Sequence, residues 1–195
     1  MDWKESLHVQ SKVILSVLNN SDLCNKIDTL VGELRDRKQQ IIYFTGVGKN
    51  GFVAAKVAST FNSLGVKSIF LNPVDTLHGE MGVFEPESVI IFISKSGETE
   101  ELIALANALL RNSFKPRIIL MTSEKDSPLF RLAGSVIEIP VKAEGDDLNM
   151  APIASTLVYM ALLSAIGVNL SSIQGFTKKE FVRLHPGGAL GKTNL

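Results

Sequence analysis

Hydrophobic residues follow a helical period over the first forty positions of the chain. A first apolar stripe ends at a polar break over residues 19–22, and a second stripe begins directly after it. The first stripe consists of Trp3, Leu7, Ile14, Val17 and Leu18, and the second of Leu23, Ile27, Leu30, Val31 and Leu34. Apolar residues spaced three and four apart are typical of amphipathic helices. Residues 1–40 are therefore predicted to form a helical pair that covers a sheet or packs against another subunit.

From residue 41 onward the pattern changes to short, continuous apolar runs separated by helical segments. The runs lie at 41–45, 67–71, 88–94, 117–122 and 135–139, and the helical segments at 51–64, 98–111, 127–133 and 152–166. Runs without polar alternation are typical of parallel strands that are buried on both faces. The chain is therefore predicted to be an α/β protein with a doubly wound, five-stranded parallel sheet flanked by helices. The flavodoxin-like strand order 2-1-3-4-5 places its ligand beyond strands one and three.

Composition narrows the class of protein. With 195 residues and neither a repeat nor a linker, we predict one domain, with helices over 1–40 and an α/β core and C-terminal loop over 41–195. Lysine and arginine total 20, as do aspartate and glutamate. The chain therefore has no net basic charge of the kind that would favour nucleic acid or an anionic membrane as a partner. No secretory signal is visible, and the apolar stretches read as too short or too interrupted for a membrane span. The expected location is the cytoplasm.

The predicted loop after the first strand is rich in glycine. Residues 46–51 read Gly-Val-Gly-Lys-Asn-Gly, which matches G-x-G-x-x-G. Asp75 lies too far into the following loop to serve as the acidic residue of a dinucleotide site, and Lys49 is followed by Asn50 where a nucleotide phosphate loop has serine or threonine. Two interpretations remain for this loop: a tight turn with a solvated lysine, or a turn that lets the backbone and Lys49 approach a ligand.

Hydroxyl groups follow the third predicted strand. Residues 94–101 read Ser-Lys-Ser-Gly-Glu-Thr-Glu-Glu and open the next helix. Serine and threonine hydroxyls at a helix start, where N–H groups lack helical partners, are typical of a phosphate-binding loop. The alternative is a capping box in which Ser96 caps the helix. Capping alone accounts for neither the second serine nor Gly97.

The motif S-x-S-G-E-T after a parallel strand resembles the phosphate-binding motif of the SIS (sugar isomerase) family, and the resemblance runs from about residue 41 to the C terminus. Three further segments are similar to the arabinose-5-phosphate isomerases of that family: residues 46–51, 78–82 (His-Gly-Glu-Met-Gly) and 185–191 (His-Pro-Gly-Gly-Ala-Leu-Gly). The resemblance implies the SIS fold and an aldose–ketose isomerase that interconverts D-arabinose 5-phosphate and D-ribulose 5-phosphate through an enediol(ate). It also implies supply of a precursor of Kdo, an acidic sugar of bacterial lipopolysaccharide or capsule. Many relatives continue into CBS modules, and this chain is expected to be the isomerase domain without them.

The resemblance also implies the residues of the site. The catalytic set would be Lys49, Glu101, Glu144 and His185, and the substrate would contact Gly48, His78, Ser94, Ser96 and Thr99. No cofactor and no metal are expected. SIS relatives complete their sites with a histidine from a neighbouring subunit, and the apolar stripe of the first helix also favours a homo-oligomer, with a tetramer as the prediction. Lys95 departs from the family pattern, which usually has a neutral residue there, and Asn72 stands where some relatives have a histidine implicated in inhibitory zinc binding.

Several alternatives stay open on the residues alone. Glu98 and Glu100 compete with Glu101 for the role of base, and Glu144 by itself reads as a solvated loop residue. His78 and His185 could each make only a loop hydrogen bond. For the whole chain, the rivals are another SIS isomerase acting on a phosphoheptose or hexulose phosphate, a sugar-phosphate sensor without catalysis, and a nucleotide-dependent oxidoreductase.

Overall fold

Five parallel strands form one sheet in the order β2-β1-β3-β4-β5 in the computed structural model, which describes residues 1–37 and 40–187. The strands are β1 (Ile42–Gly46), β2 (Ser68–Leu71), β3 (Val89–Ile93), β4 (Arg117–Thr122) and β5 (Ser135–Glu138). The helices are α1 (Trp3–Leu18), α2 (Ser21–Asp36), α3 (Lys49–Ser63), α4 (Pro73–Leu77), α5 (Glu100–Arg111), α6 (Pro128–Leu132), α7 (Ala154–Ile173) and α8 (Lys178–Leu184), with a 3₁₀ turn at Glu80–Val83. The predicted α/β fold and strand order are confirmed.

The strands begin and end within one residue of their predicted bounds. The predicted helical segments agree less well, since α7 extends to Ile173, beyond the predicted end at residue 166. Helices α4 and α8, of five and seven residues, were not predicted. Helix α8 lies in the segment that was expected to be a C-terminal loop.

Alternate side chains of each strand enter two apolar cores, one on each face of the sheet. Phe44 of β1 packs edge-on against Phe61 of α3, with ring centroids 5.0 Å apart, in the core that α1, α2, α3 and α7 cover. Its neighbour Tyr43 enters the opposite core, together with Leu105 of α5. Because helices cover both faces, the loops at the strand ends are where a ligand can reach the sheet.

The apolar stripe predicted for α1 is wrong in part. Val17 is buried, together with Val13, which the stripe did not include. Trp3 and Leu18 are each 72% exposed, and Leu7 is 55% exposed. Helix α1 thus contacts α7 with a narrower face than its sequence suggests, and several large apolar side chains of α1 face outward in the single chain.

Helix α7 has the length and the apolar composition of a membrane span, which the sequence analysis did not expect. In the structure it packs on α3, α1 and α2. Its side chains Val158, Leu163 and Leu170 belong to the apolar core on that face of the sheet. The core helix of a globular domain meets the same criteria, and we assign α7 to the core.

Candidate functional site

The glycine loop (residues 46–51) is shaped by a close approach between two of its glycines. A Cβ atom on Gly46 would lie 2.8 Å from the backbone carbonyl of Asn50, and one on Gly51 would lie 2.9 Å from the carbonyl oxygen of Gly46. Gly48, between them, has a φ of +58°, a region that favours glycine. The strand therefore turns directly into α3, which begins at the exposed Lys49 without a side-chain cap. The N–H of Gly51 already donates to the carbonyl of Val47 at 3.4 Å, so the N–H groups of Lys49 and Asn50 are the ones available to a ligand.

The serine loop (residues 94–99) is held by its own hydroxyl groups. Ser94 is buried, and its Oγ accepts the N–H of Gly97 at 3.1 Å and lies 3.0 Å from Oγ1 of Thr99. The Oγ of Ser96 accepts the N–H of Glu98 at 3.2 Å. Thr99 is the N-cap of α5, but its side chain makes no capping bond. The capping-box alternative is therefore wrong, and helix capping does not account for these hydroxyls.

Gly97 has a steric reason to be glycine. Its φ is +65°, and a Cβ atom there would lie 2.7 Å from Cβ of Ser127 and would overlap the Oγ of that residue. The carbonyl of Gly97 also accepts the N–H of Leu129 at 3.1 Å. Ser127 is the N-cap of α6, so the serine loop is packed onto the start of that helix.

The glycine loop and the serine loop leave the sheet side by side. Strands β1 and β3 are paired, and their last residues, Gly46 and Ile93, are partners in the register. In α5 the first helical bond runs from the N–H of Ile103 to the carbonyl of Thr99 at 3.0 Å, so the N–H groups of residues 100–102 precede the helical bonds. Hydroxyls and free N–H groups thus converge beside a turn that carries a lysine, an arrangement suited to a phosphate.

A cavity of about 430 Å³ lies over the carboxyl ends of β1 and β2. Gly46, Gly48 and Glu101 are in its wall. Other surface cavities have similar volumes, so the residues that line this one distinguish it, and its size does not. Of the three carboxylates considered for the base, Glu101 lines the cavity, whereas Glu98 and Glu100 are outside its wall. The structure thus favours Glu101 by position.

His78 lies at the same edge of the sheet as the cavity. Helix α4 begins at Pro73, in the cavity wall, and His78 is its C-cap, with an exposed side chain. Asn72, which is also in the wall, has a structural role, because its Oδ1 accepts the N–H of Val74 at 2.9 Å.

Glu144 is buried, so the reading of this residue as a solvated loop carboxylate is wrong. Its Oε2 accepts the N–H groups of Ile153 and Ser155, both at 2.9 Å, and Nζ of Lys95 lies 2.7 Å from its Oε1. Burial by itself would raise the pKa of Glu144, but Lys95 and the two N–H groups outweigh it and hold that pKa below its ordinary value. Sequence reasoning noted Lys95 and Glu144 separately and missed their pairing, since nothing in the sequence links positions so far apart.

His185 lies toward the opposite end of the sheet. Helix α7 begins beside Glu144, and its 20 residues extend about 30 Å toward the amino ends of the strands. Phe176 follows and packs on Gly65 in the turn before β2, where a Cβ atom would lie 2.6 Å from the Phe176 ring. Helix α8 and His185 come next, and Leu184 shares a groove with Lys67 at the start of β2.

The recorded contacts of His185 are with its own helix. Its Nδ1 lies 2.7 Å from the carbonyl oxygen of Phe181, and its ring stacks on the Phe181 ring with centroids 4.0 Å apart. The structure therefore does not bring His185 to Lys49 and Glu101 within one chain. The rest of the predicted C-terminal motif, residues 188–191, lies outside the described residues.

Metal ligands do not cluster in the part of the chain that the structure describes. Within residues 1–37 and 40–187, no three His, Cys, Asp or Glu side chains lie close enough together to hold a metal ion. The prediction that the protein needs no metal stays a prediction. The described residues instead bring a hydroxyl-rich loop and Lys49 to the carboxyl ends of β3 and β1, next to a cavity whose wall contains Glu101.

Comparison with known proteins places this arrangement in a family. The family model described as "SIS domain" matches residues 33–168. The chain belongs to the SIS-domain family. This SIS domain is 35% identical, over 193 residues and 98% of its length, to the probable arabinose 5-phosphate isomerase of Haemophilus influenzae, of which it covers 56%. It is 36% identical over 154 residues to the arabinose 5-phosphate isomerase KdsD of Pseudomonas aeruginosa, which corresponds to 79% of this chain and 47% of that protein. The chain spans about half the length of the curated relatives it matches.

A solved structure agrees with the SIS domain over almost all of both chains. A protein of E. coli CFT073 in complex with arabinose 5-phosphate superposes with a TM-score of 0.87 at 33% identity, covering 94% of this chain and 95% of that one. A phosphosugar isomerase homologue involved in capsule formation, from Bacteroides fragilis, gives a TM-score of 0.84 at 29% identity, with 95% and 96% coverage. The fold of this SIS domain is therefore that of phosphosugar-handling relatives.

Proposed function

We propose that this SIS domain interconverts D-arabinose 5-phosphate and D-ribulose 5-phosphate. The observation that carries the proposal is the serine loop beside a cavity whose wall contains Glu101. Relatives at 35–36% identity bear the name arabinose 5-phosphate isomerase, and the E. coli neighbour holds arabinose 5-phosphate itself, which supports the choice of substrate. Another SIS isomerase activity is the nearest alternative.

The substrate phosphate is assigned to the serine loop. Ser94, Ser96 and Thr99 supply hydroxyls, and the N–H groups at the start of α5 supply donors. The hydroxyls of Ser94 and Thr99 lie 3.0 Å apart, and those of Ser94 and Ser96 accept N–H groups of the loop backbone, so the loop itself orients them. Preorganised donors lose less freedom on binding. Gly48 in the neighbouring turn lets the sugar approach the backbone without a side chain in the way.

The proton transfer is assigned to Glu101. An aldose becomes a ketose when a base takes the proton from carbon two and returns it to carbon one, while the carbon-two hydroxyl gives its proton up and the carbon-one oxygen gains one. No electrons leave the substrate, so the reaction needs no redox cofactor. The enediolate intermediate carries negative charge on oxygen, which the ammonium group of Lys49 is assigned to stabilise. A carboxylate in the cavity wall and a lysine at its edge are suited to these two tasks.

The positions of the two histidines bear on the oligomeric state. His78 ends helix α4, whose first residue, Pro73, is in the cavity wall, whereas His185 lies near the amino ends of the strands. If His185 takes part in the reaction, it reaches a cavity of another subunit. The exposed apolar side chains Trp3, Leu7 and Leu18 of α1 are candidates for subunit contacts, because burying them would remove apolar surface from water. We therefore propose a homo-oligomer, a tetramer, with sites completed between subunits.

The cytoplasm is the proposed location, because a charged sugar phosphate does not enter a lipid bilayer unaided. Supply of a Kdo precursor is the pathway that the arabinose 5-phosphate assignment favours. These two statements depend on the substrate and are tested with it.

A direct assay of arabinose 5-phosphate conversion tests the proposed activity. The protein is dialysed against a chelator, and formation of ribulose 5-phosphate is then followed with the wild type, Glu101→Gln and Glu100→Gln. Removal of a general base lowers turnover by about 10²–10⁴-fold. We expect that loss in Glu101→Gln with KM nearly unchanged, and turnover within about twofold of wild type in the matched Glu100→Gln control.

Other outcomes of this assay identify the rivals. Conversion of a heptose or hexulose phosphate in place of arabinose 5-phosphate would transfer the protein to another SIS isomerase activity. Binding without turnover would indicate a sensor. Activity that disappears with chelator and returns with zinc or manganese would contradict the assigned residues.

Subunit mixing tests the shared site. Lys49→Ala and His185→Ala are each expected to be inactive, and the two are dissociated, mixed and reassembled. If Lys49 and His185 of one site come from different chains, some mixed interfaces contain an intact site and activity partly returns. No recovery on mixing, or full activity of a monomer in sedimentation, would contradict the proposal.

A further inference from the structure

The serine loop is connected to the start of α7 by one buried carboxylate. The Glu144 side chain is 1% exposed, and its Oε2 accepts the N–H groups of Ile153 and Ser155 at the start of α7. The Glu144 backbone is also fixed, because its N–H donates to Oδ1 of Asn149 at 2.7 Å and its carbonyl accepts the N–H of Ala154 at 3.2 Å. Glu144 therefore sits at a defined place relative to α7.

Lys95 lies at the other end of this connection. It stands between Ser94 and Ser96, and its Nζ lies 2.7 Å from Oε1 of Glu144. Its carbonyl accepts the N–H of Ser123 at 3.0 Å and the hydroxyl of Thr122 at 2.9 Å, both at the end of β4. With its backbone tied to β4 and its side chain tied to Glu144, Lys95 fixes the centre of the serine loop on two sides.

We propose that Lys95 and Glu144 form a positioning pair. Glu144 holds Lys95, and through it the serine loop, in the place needed to bind the substrate phosphate, and Glu144 does not itself move a proton. The proposal rests on the proposed function and assigns to Glu144 a role different from the catalytic one that the family resemblance implies.

Both oxygens of Glu144 are buried, Oε2 in two hydrogen bonds and Oε1, which makes no hydrogen bond to the described residues, in the ion pair with Lys95. A proton carrier needs a free oxygen that faces the substrate, whereas this carboxylate is enclosed. Tyr159 of α7 also lies near this carboxylate; burial raises the pKa of Tyr159, so it stays neutral, and its hydroxyl lies 2.6 Å from Oγ of Ser123. Lys95 is thus the cation that compensates the buried charge of Glu144.

A buried ion pair responds to substitution in a characteristic way. Removal of one partner leaves the other charge buried and unpaired, whereas replacement of both partners by neutral groups of similar size is often tolerated. In Glu144→Gln the amide offers a single acceptor oxygen for the two N–H groups and Lys95 together. In Lys95→Met the carboxylate stays buried without a cation. In the double variant, the oxygen of the introduced amide can accept both N–H groups, and the rest of that amide lies against methionine.

The experiment is a double-mutant cycle on the full chain with two readouts. Wild type, Lys95→Met, Glu144→Gln and the double variant are compared in their dissociation constant for inorganic phosphate and in kcat and KM for arabinose 5-phosphate. Thermal unfolding of each variant is recorded as well. The control cycle uses the exposed Lys125 and the partly buried Glu138, which lie 3.5 Å apart, and small and additive effects are expected there.

A positioning pair predicts the following pattern. Each single variant weakens phosphate binding and raises KM by about tenfold or more, because the serine loop moves, and the double variant recovers to within about threefold of wild type. Single variants that unfold while the double variant stays folded would show the same coupling and support the pair.

Two patterns would overturn the proposal. If Glu144 carries a proton, Glu144→Gln keeps normal phosphate affinity and loses about 10²–10⁴-fold in kcat, with no recovery in the double variant. If Lys95 contacts the phosphate directly, Lys95→Met and the double variant bind phosphate equally weakly, and Glu144→Gln binds it normally. A double variant less stable than either single variant also contradicts the pair. Because phosphate affinity and unfolding need no turnover, a wild type that fails to isomerise would refute the proposed function and leave the pair testable.

Discussion

The glycine loop and the serine loop reach the same edge of the sheet by different means. The glycine loop is shaped by backbone packed on backbone, with Gly46 and Gly51 in close approach, and its one charged side chain, Lys49, is exposed. The serine loop is shaped by side chains: the hydroxyl of Ser94 and the ion pair of Lys95 with Glu144. The first loop is determined within six consecutive residues, and the second depends on residues of β4, of the start of α6 and of the segment between β5 and α7.

The two loops differ in how far their shape depends on the side chains that are assigned to the chemistry. In the glycine loop, Lys49 can change without altering the turn. In the serine loop the groups assigned to the phosphate are the same groups that hold the loop. Substitution of Lys49 should therefore affect activity alone, whereas substitution of Ser94 should affect stability and phosphate affinity together.

The largest effect is expected at Lys49. Lys49→Met should lower kcat/KM by about 10²–10³-fold, because a charge that stabilises the enediolate is lost. Its unfolding midpoint should not change, since the side chain is exposed. The control is Lys67→Met, also exposed and at the start of β2, which should keep wild-type kcat/KM. Wild-type turnover in Lys49→Met would leave the glycine loop without its assigned chemistry.

The next largest effect is a loss of stability when alanine replaces Gly46 or Gly48 in the glycine loop. Gly46→Ala forces a Cβ atom to 2.8 Å from the Asn50 backbone and should lower the free energy of unfolding by about 2–4 kcal/mol. Gly48→Ala has no atom within 4 Å of the new Cβ but must adopt φ +58° with ψ −127°, a region almost restricted to glycine, so about 1–3 kcal/mol is expected from backbone strain alone. Denaturant unfolding measures the loss in each variant. A Gly46→Ala variant as stable as wild type would show that packing does not shape this loop.

Ser94→Ala and Ser96→Ala should differ in their effect on the free energy of unfolding, by a smaller amount. Ser94→Ala leaves the buried N–H of Gly97 without its acceptor and should cost about 1–3 kcal/mol in unfolding free energy. Ser96 is exposed, so Ser96→Ala should stay within about 0.5 kcal/mol of wild type. Both should weaken binding of inorganic phosphate in a titration. If Ser94→Ala were as stable as Ser96→Ala, the serine loop would not depend on its own hydroxyls.

The smallest effect concerns acid stability, because it comes from one carboxyl group among 20 acidic residues. The pKa of Glu144 is lower in the folded protein than its ordinary value of 4.5. Its contribution to stability is therefore complete above about pH 4.5 and is lost as the pH falls through the folded-state pKa. Unfolding free energies measured from about pH 6 to pH 3 should decline less steeply in Lys95→Met than in wild type. Lys125→Met is the control, and identical slopes in all three proteins would contradict the pairing.

The sequence predicted the parts of the site that are local in the chain. Ser94, Ser96 and Thr99 lie in one loop directly after a buried strand, and strand ends are visible as the ends of apolar runs. The preference for Glu101 over Glu98 and Glu100 came from the family resemblance, and the cavity wall supports it. Long-range relations were missed, because no pattern in one sequence links positions on different elements.

The sequence by itself determined the order of the elements and the two loops that follow β1 and β3 and lie at the same edge of the sheet. Apolar periodicity follows from local backbone geometry, so it predicts strands, helices and the parallel sheet. Only the tertiary structure decided that Glu144 is buried against Lys95 and that His185 lies toward the amino ends of the strands. It also decided that Trp3 of α1 faces outward. Burial and pairing depend on which surfaces the packed helices cover, and a residue's neighbours in the chain do not specify that.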